Sequence, residues 1–241
     1  MQCVFVFDTE ILARLTDQQD RRVEFIWHSL HELNQRLEQL GSRLQVLHGT
    51  PATVIPQLAL QLGTQAVFCN HDYEPDAVRR DAAVAAELAK SGIAFHSYKD
   101  QVIFEQSEIL NGAGKPYAVF TPYKTAWLKK LNQFYLRAYP TERYFSSLAQ
   151  CEPAALPTLE LLNFAAGKLN TNALPTGESG AAELFNDFTQ RLFQYLETRD
   201  FPSVKGVSYL STHLRFGTIS IRKLAAYAHS IGGIGAETWL A

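Results

Sequence analysis

Apolar and polar positions follow two alternating periods along the first hundred residues. Cys3-Val4-Phe5-Val6-Phe7 is an apolar run cut off by Asp8, and it predicts a buried strand. Val23, Ile26, Leu30, Leu33, Leu37 and Leu40 then recur at spacings of three and four, predicting an amphipathic helix that ends at Gly41. Leu44 to His48 predicts a second strand, stopped by Gly49-Thr50-Pro51. Val54, Leu58 and Leu62 mark a helix ended by Gly63, and Ala66 to Cys69 a third strand. Pro75, a good first-turn residue, opens a helix that runs to Gly92, and Ile93 to Tyr98 follows as a fourth strand. Strands alternating with helices predict an α/β fold built on a parallel, doubly wound, Rossmann-like sheet.

The pattern then changes. Residues 132–178 hold Pro140, Pro153, Pro157 and Pro175 and no sustained period, which predicts a linker. Leu184, Phe185, Phe188, Leu192 and Leu196 next define an amphipathic helix carrying Tyr195 near its end. Gly232-Gly233-Ile234-Gly235 reads as a helix connection, because no strand precedes it as a phosphate loop requires. The expected organisation is an α/β domain over 1–131, a linker over 132–178 and the start of an all-helical domain over 179–241.

Sheets of this kind bind ligands beyond the carboxyl ends of their strands. The polar residues there are Asp8-Thr9, His48-Gly49-Thr50, Asn70-His71-Asp72-Tyr73-Glu74 and Lys99-Asp100-Gln101. The same residue types cap the helix that follows, so at each place both readings stand.

Composition narrows the class without choosing a function. With 241 residues, 46% of them hydrophobic and 19% charged, the chain is an ordinary globular one with a sizeable core. A net charge of −2 gives no global basic signal, so any nucleic-acid contact depends on a local patch. Cys3, Cys69 and Cys151 are widely spaced and sit in or near apolar runs, which predicts buried thiols in a reducing cytoplasm and no disulfide. His28 and His31 lie three apart on a helical pattern, but no Cys, Asp or Glu completes a metal set, and they read as solvated surface. The opening apolar run is too short for a signal peptide, and no run reaches membrane-spanning length.

The most informative chemistry lies near the carboxyl end. Tyr195-Leu-Glu-Thr-Arg-Asp-Phe-Pro202 is followed by Gly206-Val-Ser-Tyr-Leu-Ser211 and by Arg215-Phe-Gly-Thr-Ile-Ser-Ile-Arg222. Hydroxyls and backbone N–H groups in a tight turn before a helix suit a diphosphate, because unpaired N–H groups carry partial positive charge. Taken alone, the segment also reads as a plain turn and N-cap.

In that order, these motifs resemble the flavin-binding entry of the DNA photolyase/cryptochrome family. "FCNHDYEPDAVRRD" and "KDQVIFEQSEIL" resemble its light-harvesting antenna domain, and "GKPYAVFTPYKTAWLKKL", Gly114 to Leu131, is similar to its structural block between domains. The resemblance implies FAD as cofactor, with Tyr195, Val207, Ser208, Tyr209, Leu210 and Ser211 as contacts, mostly to phosphate and ribitol. Val207 stands where many relatives have Thr, which leaves only its backbone N–H. The resemblance implies no catalytic base or nucleophile and no metal.

Light-dependent splitting of cyclobutane pyrimidine dimers in DNA is the activity implied. Asp76-Ala77 replaces the Asn-Glu of folate-using relatives, so methenyltetrahydrofolate, a deazaflavin, FMN and no antenna all stay open. The resemblance also implies a piece of the family's length, without the first strand and without the later flavin cavity. The expectations are therefore weak FAD binding, no repair, and self-association through an incomplete sheet. A blue-light signalling protein of the cryptochrome type and a noncatalytic nucleotide- or chromophore-binding module are the alternatives.

Overall fold

A computed structural model describes all 241 residues. They form two compact units, one of Met1–Lys99 with Thr141–Glu178 and one of Asp100–Pro140 with Ser179–Ala241.

The first unit is the α/β one. It contains β1 (Cys3–Asp8), α1 (Thr9–Leu12), α2 (Arg21–Gln39), β2 (Leu44–Gly49), α3 (Pro51–Gln61), β3 (Ala66–Asn70), α4 (Pro75–Lys90) and β4 (Ala94–Tyr98). Local chemistry sets the helix starts. Asp8 accepts from the Glu10 N–H at 2.9 Å and Asp20 from the Arg22 N–H at 2.8 Å. α3 and α4 open on Pro51 and Pro75, whose missing N–H groups have no acceptor to lose.

All strand pairing is parallel, as the alternation predicts. The strands do not form one continuous sheet, however: β1 pairs with β2 and β3 pairs with β4, as two separate ladders. Period-two burial explains what each ladder packs against. Phe7 and Leu44 enter one core with Val23, Leu30 and Leu37 of α2, joined by Cys3, Phe5 and Val46. Val67 and Phe95 pack on Ala59, Val84 and Leu88 from α3 and α4. The opposite face of β3 and β4 carries Phe68 and Tyr98, 64% and 57% exposed, with His96 stacked on Phe68 at 5.1 Å.

Thr141–Glu178 is aperiodic because it is a strap on this unit, held one contact at a time. The Ala149 N–H donates to the Met1 carbonyl and the Cys151 N–H to that of Gly41. Trp27 Nε1 donates to the Pro157 carbonyl at 2.9 Å. Leu159, Leu162 and Phe164 then enter the α2 core. Buried Glu24 accepts from the N–H groups of Gly167 at 3.2 Å and Leu169 at 3.0 Å, which compensates its carboxylate for lost water. The histidines of α2 are more engaged than solvated surface: His31 Nδ1 lies 2.8 Å from the Trp27 carbonyl, and its ring packs on that indole. Cys3, Cys69 and Cys151 are half-buried, free thiols, and burial pushes those of Cys3 and Cys69 up from the ordinary thiol range.

The second unit is helical. Its elements are α5 (Phe120–Lys130), α6 (Gln133–Leu136), most of α7 (Gly177–Thr189), α8 (Tyr195–Thr198), α9 (Ser211–Phe216), α10 (Ile221–Ile231) and α11 (Gly233–Leu240). The helix expected to run through Leu196 breaks after Thr189, and a 3₁₀ turn at Leu192–Gln194 leads into α8. The carbonyls of Leu192 and Phe193 there lie against Gly235, where an added Cβ would fall 2.3 and 2.8 Å from their oxygens. Only a glycine lets α11 approach so closely. Gly232, at φ 64°, connects α10 to α11, as the glycine run predicts.

Candidate nucleotide site

The candidate turn is fixed at both ends before its polar residues are presented. Leu210 is fully buried and packs with Phe185 of α7 and Leu224 of α10. Four residues earlier, Gly206 lies against Thr198, where a Cβ would fall 2.7 Å from the carbonyl oxygen. Between them, Arg191 Nη2 donates to the Val207 carbonyl at 2.9 Å. Asp187 accepts from Arg191 Nη1 at 2.6 Å and pairs with Lys205 at 2.9 Å. Lys205 first, and Arg191 second, hold the Asp187 carboxyl below the usual carboxylate range.

Within the turn the backbone takes an uncommon path. Tyr209 sits at φ 57°, in the left-handed region, and Leu210 at φ −88°, ψ 0°. A left-handed residue followed by a right-handed one turns successive N–H groups to one side, the geometry of an anion nest. The Ser208 hydroxyl lies 3.5 Å from the Leu210 N–H and borders a cavity.

That cavity, of about 410 Å³, has apolar and aromatic walls. Phe104, Tyr123, Trp127 and Trp239 supply the rings, α10 supplies Leu224, Ala225 and Ala228, and Ser208 and Gln101 are polar lining residues. Such a wall suits a flat aromatic group, with few polar groups to orient it.

The sequence-expected residues thus divide by role. Ser208 reaches the cavity. Leu210 is a core anchor, and Val207 contributes its carbonyl to Arg191. Tyr209 is exposed, and Ser211 is the first residue of the six-residue α9. Tyr195 packs edge-on against Phe188 at 5.8 Å, beside Leu192 and Ala236. Sequence reasoning missed Asp187, Arg191 and Lys205, although Asp187 and Arg191 stand at i and i+4 on a helical pattern, which marks a pair. It also missed the ring wall, because its members come from separate segments.

At the strand ends Asp8 caps α1 through its side chain, whereas α3 and α4 start without a side-chain cap hydrogen bond. Asp72 accepts from the Tyr73 and Glu74 N–H groups, and Asp76 pairs with Arg14 and Arg79. Asp100, in the second unit, accepts from buried Arg222 at 2.6 Å, and the guanidinium lies over Tyr139.

The family description "DNA photolyase" matches residues 1–143. A deoxyribodipyrimidine photo-lyase of Synechococcus is 36% identical over 238 residues, covering 95% of this chain and 48% of its own. An uncharacterized 31.6 kDa protein of another Synechococcus strain is 33% identical, with 92% of this chain and 78% of its own covered. The crystal structure of a bacterial class III photolyase from Agrobacterium tumefaciens superposes with a TM-score of 0.81 at 24% identity, over 99% of this chain and 50% of that one, a likeness of fold. The chain spans about half the length of the photolyases it matches. With more than half of its residues matched by the family description and a family fold throughout, the chain belongs to the DNA photolyase family.

Proposed function

We propose that this chain forms the α/β region and the opening helices of a light-dependent deoxyribodipyrimidine photolyase, and that it contributes one wall of an FAD site. The observation that carries this reading is the Ser208–Leu210 turn, whose left-handed Tyr209 builds a nest beside a cavity bordered by Trp239. The fit is partial and specific. Ser208 Oγ would donate to a phosphate oxygen, and backbone N–H groups of the turn would add donors to the same anion. Val207 supplies backbone only, and the rings of the cavity wall exclude water from an aromatic group. When bound, reduced FAD supplies the electron that splits the dimer.

Charge favours the second unit as the DNA-facing one. It carries 11 Lys and Arg against 8 Asp and Glu, whereas the first carries 11 against 16. A polyanion is attracted by the former and repelled by the latter. Of the expected FAD contacts only Ser208 borders the cavity, so the walls present would enclose little of a dinucleotide, and the effective-concentration advantage of holding donor and lesion together would be lost. The separate ladders of the first unit leave unpaired strand edges, which favour self-association.

FAD titration followed by gel filtration, with dimer-containing DNA under blue light as a second arm, tests the reading. Saturable quenching of FAD fluorescence, loss of the flavin on the column and no repair above free flavin are expected. No FAD binding at all overturns the cofactor assignment. Stoichiometric yellow protein, or repair by this chain, overturns the one-wall account.

A further inference from the structure

Arg191, like Arg222, is a largely buried arginine set against a carboxylate and an aromatic ring, and it alone of the two reaches the candidate turn. Its side chain is 15% exposed, and each terminal nitrogen has a fixed acceptor. Nη1 donates to the Asp187 carboxylate at 2.6 Å and to the Asp187 carbonyl at 2.8 Å. Nη2 donates to the Val207 carbonyl at 2.9 Å, sixteen residues along the chain. The guanidinium lies 5.4 Å from the Phe188 ring centroid, over a fully buried aromatic. Its Nε is buried without a hydrogen-bond partner. A buried donor left unpaired is unfavourable, so the position is held by what the other two nitrogens do.

What they hold is the residue that opens the turn. Leu210 anchors the far side of the turn in the core, and the left-handed Tyr209 lies between the two anchors. A left-handed tyrosine is disfavoured on its own and persists only where its surroundings over-determine it. The Val207 carbonyl is the near restraint, and a planar guanidinium fixes both distance and direction in a way that an ammonium does not. Lys205 pairs with the same Asp187 carboxylate, so the approach to the turn is tied to the same point on α7.

We infer that Arg191 is a positioning residue: through the Val207 carbonyl it sets the conformation of residues 207–211 and so the phosphate-binding face of the turn. It touches no phosphate itself. The inference rests on the proposed nucleotide role of the turn for its functional half, and on geometry alone for its structural half.

The test uses the whole chain with Arg191→Met and Arg191→Lys, and reads amide hydrogen exchange together with fluorescence titration of FAD and riboflavin. Arg191→Met is expected to speed exchange in residues 206–212 at least tenfold, with α2 and α4 unchanged. It should weaken FAD about tenfold while leaving riboflavin, which has no diphosphate, unaffected. Arg191→Lys should fall between wild type and Arg191→Met on both counts. Unchanged exchange in 206–212 overturns the inference, as does equal weakening of FAD and riboflavin, which marks general collapse. If wild type binds no FAD while Arg191→Met still loosens the turn, the flavin reading fails and the positional role stands. Should Arg191→Met fail to fold, Arg191→Lys decides by the same exchange readout.

Discussion

Two aperiodic stretches of this chain look alike in sequence and do opposite things. Residues 141–178 and 199–210 are both rich in turn formers and poor in period. The first is a strap whose apolar residues, Leu159, Leu162 and Phe164, are spent in the core of the α/β unit. Its polar contacts include backbone groups, buried Glu24 and a surface pair of Lys168 with Asp17. The second spends only Leu210 on the core and is braced by Arg191, Thr198 and Asp187 around one left-handed residue, Tyr209. Irregular chain that buries its side chains is structural. Irregular chain that is braced from outside, with a hydroxyl bordering a cavity, is a candidate site.

Substitutions that separate stability from ligand affinity sharpen that contrast. Leu162→Ala, at a position 2% exposed, should cost about 2–5 kcal/mol by removing a buried side chain and leaving a cavity. Its denaturant midpoint should fall with FAD affinity unchanged, and an unchanged midpoint would show the strap to be a passive connection. Arg222→Met strips the half-exposed Asp100 carboxylate of a charged donor, and about 1–3 kcal/mol should be lost on chemical unfolding of the helical unit.

Gly206→Ala drives a methyl against the Thr198 carbonyl, so about 1–3 kcal/mol of strain or rearrangement should appear. Here, unlike Leu162→Ala, FAD affinity should fall several-fold in equilibrium titration; an unaltered affinity would mean that the turn does not meet the nucleotide. Acid gives the smallest effect. The Asp187 carboxyl is held below 3.8, so its contribution is complete above that value and fades as pH falls through the depressed one. Because Asp187 is 40% exposed, no more than the ~0.2–1 kcal/mol of a surface pair is expected, and Asp187→Asn should flatten that part of a stability profile below about pH 4.

Much of the fold was legible in the sequence because burial writes periods into it. β1 to β4, α2, α3 and α4 all fall where apolar spacing places them, and Pro51 and Pro75 mark their helix starts. An interrupted sheet was expected from the family resemblance, whereas which strand pairs with which was not legible, since pairing partners leave no trace in the period of either strand. Nor was the break after Thr189. Leu192 and Leu196 keep helical spacing, and only the approach of Gly235 reveals why the backbone leaves that path.

The site was half legible. Ser208 and the turn chemistry stand together in the chain, so a local motif finds them. Arg191 acts on Val207 across sixteen residues, and the cavity wall gathers Phe104, Trp127 and Trp239 from distant segments. Tyr195 shows the reverse case, a motif residue whose ring packs on Phe188 beside Leu192 and Ala236.

The proposed function assigns nucleotide chemistry to the helical unit and none to the polar strand ends of the α/β unit. The most direct test is an amide NMR titration of the whole chain with FAD. Shift changes confined to residues 206–212 and to the cavity-lining residues Gln101–Phe104, Trp127 and Trp239 are predicted, saturating with the fluorescence quench. Changes centred on Asp8–Thr9, His48–Thr50 or Asn70–Glu74, with the turn silent, would contradict it.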